Sequence, residues 1–287
     1  MNNKFKTVFV VGLMVTMCAW TMAFVFSAIA GESPKGSLKK VETKLNSKQK
    51  NISERREVEL AGVETIEVGT GSKDIRIIPT GGNQLVVEFR GRSSIENPLE
   101  ISNEGGVLKV RLKKEMENAM IWNLSFDEGV GVHGEDDMGM GLVVGVPASY
   151  TKSMSIEGGS SDIRATSLKI GAITVETGSG DIAITDSAIG KTVLKTGSGD
   201  VAVHEFDGEF LKVAAASGDI SLDKFTAKNV VGSAASGDIV AKPATVQGWK
   251  FNLSAASGDV SNTLSEDSNG DKTLRLSTAS GDISVTQ

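Results

Sequence analysis

Cysteine is almost absent: Cys18 is the only one among 287 residues, so no disulfide can form within the chain. Histidine is nearly as scarce. His133 and His204 stand alone, with neither a cysteine nor a second histidine at a metal-ligand spacing, and this gives no support to a metal centre or to histidine-based catalysis. Three Trp and one Tyr are too few to line an extended sugar-stacking cleft. Positive charge is missing from most of the chain. Residues 1–56 hold ten Lys/Arg against three Asp/Glu, so the formal net charge of −6 leaves −13 on residues 57–287. Such an acidic head repels the phosphates of nucleic acid.

Long hydrophobic runs are also rare, with one exception. From Thr7 to Ala30 there are 24 residues without a charge, after the short basic stretch Asn2-Asn3-Lys4-Phe5-Lys6. A membrane-spanning helix needs ~20 apolar residues and a signal-peptide apolar region only ~7–15. The length predicts an uncleaved transmembrane anchor over 7–30, with a cytoplasmic tail over 1–6. Ala28-Ile29-Ala30 fits a signal-peptidase site, so a secreted mature form is the alternative. Cys18 reads as a buried helix residue, not a lipid attachment point. Lys35, Lys39, Lys40 and Lys44 follow the run and leave orientation by basic residues ambiguous, but the short tail and large head favour a head outside the cytoplasm. Residues 31–56, polar and without aromatics, read as a stalk.

The positive signal is repetition. GSSDI, GSGDI, GSGDV, ASGDI, ASGDI, ASGDV and ASGDI place aspartates at 162, 181, 200, 219, 238, 259 and 282, first 19 residues apart, then 21 and 23. A fixed period means one supersecondary unit stacked on itself. Apolar residues alternate on both sides of each turn, as in Val175, Ile182 and Ile184, so the unit is strand, tight turn, strand. The expected fold is all-β, a single-chain parallel β-solenoid of ~19-residue coils behind the N-terminal transmembrane helix; an antiparallel meander of repeated hairpins is the alternative. Columns of like residues, such as the serine two before every aspartate, favour stacked coils. A degenerate copy around Asp74 begins an irregular β region over 57–149, containing a long loop over 115–141, and regular repeats fill 150–287.

Candidate sites follow from the repeat. Asp74, Asp162, Asp181, Asp200, Asp219, Asp238, Asp259 and Asp282 read as structural turn residues, with Gly180, Gly199, Gly218, Gly237, Gly258 and Gly281 supplying a positive φ before them. A carboxylate row could attract calcium, yet the 19-residue unit lacks the G-G-x-G-x-D calcium pattern, and hydrogen bonding is the expected use. No catalytic, cofactor-binding or metal residue is expected. Outward positions Ala214, Ser233, Ser254 and Ser277 form a flat candidate binding face, beside Ala183, Ala202, Ser221, Ser261 and Ser284. The C-terminal coil, ending at Gln287, offers a strand edge for self-association. An enzyme acting on envelope glycans would need carboxylates off the repeat register, for which Asp127, Glu128, Glu135, Asp136 and Asp137 are the candidates. A sensory accessory of a membrane signalling complex would depend on the anchor and stalk.

The run Leu142-Val143-Val144-Gly145-Val146-Pro147, followed by repeated Thr-Gly-Ser-Gly-Asp-Ile as in Thr177 to Ile182, resembles the bacterial "putative adhesin" family of β-strand repeats, and the chain is similar to membrane-anchored proteins of envelope-stress operons. The resemblance implies an envelope location and a repeat head and carries no catalytic residues. The expected function is therefore a non-catalytic, adhesin-like binding or scaffolding element at the cell envelope. Its expected partners are the lipid bilayer, through the N-terminal segment, and an envelope protein or polymer.

Overall fold

Alternating apolar residues with almost no helix-forming runs give strands throughout. The computed structural model describes residues 50–113 and 141–287, and the described part is all-β. The first nine strands are β1 (Lys50–Val58), β2 (Thr65–Thr70), β3 (Ile75–Thr80), β4 (Leu85–Ser93), β5 (Leu99–Glu104), β6 (Val107–Leu112), β7 (Gly141–Pro147), β8 (Ser153–Gly158) and β9 (Ile163–Thr166). Then come β10 (Lys169–Ser179), β11 (Ile182–Ser198), β12 (Val201–Ser217), β13 (Ile220–Ser236), β14 (Ile239–Pro243), β15 (Trp249–Ser257), β16 (Val260–Asn262), β17 (Lys272–Ser280) and β18 (Ile283–Val285). The transmembrane anchor expected over 7–30 lies outside the described residues. Among those described there is no helix long and apolar enough to cross a membrane. The end of the expected stalk, from Lys50, belongs to β1.

Successive repeats pair in parallel, with partners 19 residues apart: Ile182 lies beside Val201, Val201 beside Ile220, and Leu194 beside Val213. Every second residue enters one apolar core, where Ile156, Val175, Leu194 and Val213 are all fully buried. Thus each layer is held laterally by backbone hydrogen bonds and inward by burial of about 1.5–3 kcal/mol per large apolar side chain.

The expected clean parallel solenoid is nevertheless corrected. The sheet is mixed, because β4 runs antiparallel to β7 and β5 antiparallel to β6, and its wrap is nearly barrel-like. A local cause is visible at the second pair. Gly105 and Gly106 take φ of 60° and 83°, closing a tight hairpin that reverses the chain. Spatial order also departs from chain order. β17 pairs with both β13 and β15, and β18 with both β14 and β16, so the repeat carrying Asp282 is inserted between those carrying Asp238 and Asp259. At the other end, β2 sits between β6 and β8. The repeated-hairpin meander fails as well, since β10 to β13 pair in parallel with neighbouring repeats.

Two consequences fix the ends of the core. The exposed edge is β15 with β16, not the C-terminal strands; there Phe251 and Leu253 are only partly buried, whereas their neighbours Leu274 and Leu276 are buried fully. Trp249 closes this end. It is buried, meets Phe225 edge-on at 5.7 Å, and donates its indole N–H to the Thr245 carbonyl at 2.8 Å. At the start of the regular repeats, the only tyrosine, Tyr150, donates its hydroxyl towards the carbonyls of Ser153 and Glu64, at 2.6 and 3.1 Å.

Burial and the neighbouring Glu64 charge push the Tyr150 phenol up to about 12 from 10.0. The folded state therefore holds this proton where the unfolded chain releases it, and the associated stability is complete below pH ~10 and lost as pH rises towards ~12. Denaturation followed against pH should show that loss in the wild type and a flatter profile in Tyr150→Phe.

Thr192 supplies a second test. It is fully buried in a column beside Ile173 and Leu211, and its hydroxyl has no hydrogen-bond partner among the described residues. Thr192→Val keeps the shape and removes the unsatisfied group. It should stabilise the head by about 1 kcal/mol, raising the melting temperature by roughly 2–4 °C in calorimetry.

Candidate functional site

The turn aspartates form a continuous ladder. The backbone N–H of each donates to a carboxylate oxygen on the neighbouring layer: Asp162 to Asp74 and Asp181 to Asp162 at 3.0 Å, then Asp200 to Asp181, Asp219 to Asp200 and Asp238 to Asp219 at 2.8 Å. Beyond that point it follows the altered layer order, from Asp282 to Asp238 at 2.7 Å and from Asp259 to Asp282 at 2.8 Å. One oxygen of each accepting carboxylate is thus committed to the fold. Carboxylates one layer apart repel by roughly 0.9 kcal/mol in water, less than a hydrogen bond to a charged acceptor contributes, about 1.5–3 kcal/mol.

Glycine precedes most of these aspartates for two reasons at once. Gly218 has φ of 143°, and a Cβ there would overlap the Gly199 carbonyl oxygen of the adjacent layer; Gly180, Gly199, Gly237, Gly258 and Gly281 meet the same obstruction. Asp74 follows Lys73 and Asp162 follows Ser161, so the two earliest turns lack that glycine.

The candidate face is brought together. Ala214 lies beside Ser233, Ser233 beside Ser277, and Ser277 beside Ser254, giving one column in the order 214, 233, 277, 254. Ser254 and Ser277 are exposed, Ala214 and Ser233 partly so. The second column also forms, through Ala183, Ala202 and Ser221, then Val240, Ser284 and Ser261.

His204 is the one described histidine. Its Nδ1 lies 2.8 Å from the Asp223 carboxylate, and its Nε2 lies 3.6 Å from Glu205. No hydroxyl among the described residues hydrogen-bonds to Nε2, so this half-buried pair has no aligned nucleophile to activate. His133, Asp127, Glu128, Glu135, Asp136 and Asp137 lie outside the described residues. Among those described, no cluster of three or more His, Cys, Asp or Glu side chains is arranged to hold a metal ion.

A second turn in four of the repeats was not visible to sequence reasoning. Ser167, Asp186, Glu205 and Lys224, each five residues after a ladder aspartate, adopt φ of 49–55°. Cross-layer pairs join these corners: Ser167 donates to Asp186 at 2.8 Å, and Lys224 to Glu205 at 3.1 Å. No glycine or asparagine marks the bend, so only its fixed offset from the aspartate could have revealed it.

Stacked β layers tied together by one oxygen of each accepting turn carboxylate define a layered all-β repeat protein. The chain belongs to the Toastrack DUF4097 family, which it matches over residues 63–287. No curated protein matches it. Among solved structures it is similar to a "putative adhesin" of Bacteroides fragilis, at 14% identity over 83% of this chain and 97% of that one, with a TM-score of 0.48. A "putative lipid binding protein" of Parabacteroides distasonis is 16% identical, over 82% and 97%, with a TM-score of 0.45. A "putative cell adhesion protein" of Clostridium sporogenes is 12% identical, over 82% and 99%, with a TM-score of 0.42.

Removing one rung tests the structural role of the ladder. Asp219→Ala deletes the acceptor for the Asp238 N–H while relieving repulsion from two neighbours, and the net expected loss by thermal denaturation is no more than about 1 kcal/mol. Adding calcium or a chelator should leave the wild-type transition unmoved. A calcium-dependent midpoint would show that the row holds a cation.

Proposed function

We propose that the protein is a non-catalytic, adhesin-like binding or scaffolding element that works outside the cytoplasm at the cell envelope. The observation that carries this reading is the in-register, accessible sheet face running through Ala214, Ser233, Ser277 and Ser254, whose short side chains let a broad partner approach the backbone closely. Interfaces of this kind take their specificity from shape over a large area, about 800 Å² on each partner. The uncharged run from Thr7 to Ala30 supports delivery to the envelope, and the resemblance to proteins of envelope-stress operons supports a part in that response.

Bulky charge on the face tests the reading. Ser233→Arg with Ser254→Arg should impair association of the full-length protein with the envelope fraction while leaving its melting temperature within about 1 °C, because both sites face outward. Replacing Glu135, Asp136 and Asp137 should have the smaller effect. If the face variant associates normally, and envelope-glycan turnover disappears with the acidic cluster, the binding reading gives way to an enzyme.

A further inference from the structure

Five of the strand segments that enter the turns carry a distribution of charge opposite to that of the acidic head, whereas those of β2, β8 and β10 hold Glu67, Glu157 and Glu176. Over Lys191–Ser198, Phe210–Ser217, Asn229–Ser236, Lys272–Ser280 and Trp249–Ser257 there is no acidic residue. Lys191, Lys212, Arg275 and Lys250 are all exposed there, and none has an anionic partner among the described residues. Lys195 differs, since its ammonium reaches Glu176 at 2.6 Å.

Register places these four cations along the stacking axis. Lys191 lies beside Phe210, Phe210 beside Asn229, Asn229 beside Thr273, and Thr273 beside Lys250. Two residues further along each strand, Lys212 lies beside Val231, Val231 beside Arg275, and Arg275 beside Asn252. With layers ~4.8 Å apart, Lys212 and Arg275 are separated by about 10 Å and Lys191 and Lys250 by about 19 Å, in two columns about 7 Å apart. The result is a narrow positive strip that advances from layer to layer.

The aspartate ladder does not cancel it. Four strand residues lie between the serine two before each turn aspartate and the column of Lys212 and Arg275, a separation of five residue steps or about 17 Å of extended chain, roughly twice the Debye length at physiological salt. The acid nearest the strip in sequence, Glu209, is 3.8 Å from Lys228 on the adjoining side of the layer.

We propose that this strip binds a linear phosphodiester polymer running along the stacking axis, with Lys191, Lys212, Arg275 and Lys250 meeting successive phosphates. The inference deepens the binding role above and rests on it. A line of cations fits a chain better than a plane of lipid headgroups, because the apolar residues between them, Phe210 and Val231, are half-buried and do not project as membrane anchors. The small-residue column containing Ser233 and Ser277 runs alongside and leaves the polymer room to lie flat.

The test uses the full-length protein with a defined-length poly(glycerol phosphate). Lys212→Glu with Arg275→Glu should weaken binding by about tenfold or more, and binding by the wild type should fall steeply with added salt. Lys224→Glu with Lys242→Glu makes the same change in net charge on another side, after the turn aspartates, and should alter affinity by less than about twofold. If the first pair misfolds, Lys212→Gln with Arg275→Gln keeps the comparison. Equal losses in both pairs, undetectable binding of the polymer, or tighter binding to phosphatidylglycerol vesicles at equal phosphate concentration would each overturn the proposal. Loss of envelope association in a Ser233→Trp, Ser254→Trp protein, which obstructs the face without adding charge, with polymer affinity indifferent to Lys212 and Arg275, would remove this inference and leave the broader reading standing.

Discussion

The head depends on the hydrogen bond between each turn aspartate's N–H and the carboxylate of the layer beside it. That bond locks register, because a slip of one residue would turn every core side chain to solvent. In the six later turns glycine stands at the preceding position, where the neighbouring layer's carbonyl occupies the space a Cβ would need. The serine carbonyls complete the turn: Gly180 N–H donates to Ser198 at 2.9 Å and Gly199 N–H to Ser217 at 3.0 Å. A short sequence phrase is therefore repeated because three interlayer constraints meet in it, two of hydrogen bonding and one of volume.

This explains which parts of the fold were legible in sequence. The columns, the inward and outward faces and the structural use of Asp181 or Asp219 follow from local pattern, since each depends on residues at a fixed offset. Layer order does not. Nothing in the Asp259 and Asp282 phrases says that the second is inserted inside the first; only their longer spacings, 21 and 23 residues, leave chain for such a return. The corners at Asp186, Glu205 and Lys224 escaped for the opposite reason: aspartate enters the left-handed region more readily than most residues, but glutamate and lysine at the equivalent positions do not ordinarily favour it, so no residue type marks the bend. Their stability comes from neighbours in the next layer, such as the Lys224 to Glu205 contact. The antiparallel pairs of the early region were half legible, for Asn103-Glu104-Gly105-Gly106 announces a hairpin without saying which sheet it joins.

Insertion of the Asp282 repeat also determines which edge meets solvent. Had the layers followed chain order, Ile283 and Val285 would form the open end; instead both are buried, and Val260 stands 45% exposed. Edge strands invite pairing with other chains. Lys250 on β15 and the brevity of β16 restrain that tendency, while buried Trp249, with Lys272 5.5 Å over its ring, seals the apolar interior behind them. Gly232 shows the same economy inside the stack, where the Leu276 side chain of the inserted layer occupies the space a Cβ would need.

Separation of charge follows from the same layering. The ladder concentrates eight of the head's carboxylates along one corner because the turn needs an acceptor there in nearly every layer, and this adds to the net negative charge without placing acid on the strand segments around Lys212 and Arg275. Strand positions away from the corner are free of that requirement. On the segments from Lys191 to Ser280 that lead into the turns, substitution is constrained only by solubility and by whatever the face meets, and those positions hold lysine, arginine, serine, alanine and a few half-buried apolar residues. Net charge is consequently a poor guide to partners for a protein built in layers. What a partner encounters is the field within about 8–10 Å of one face, and here its sign is opposite to that of the whole.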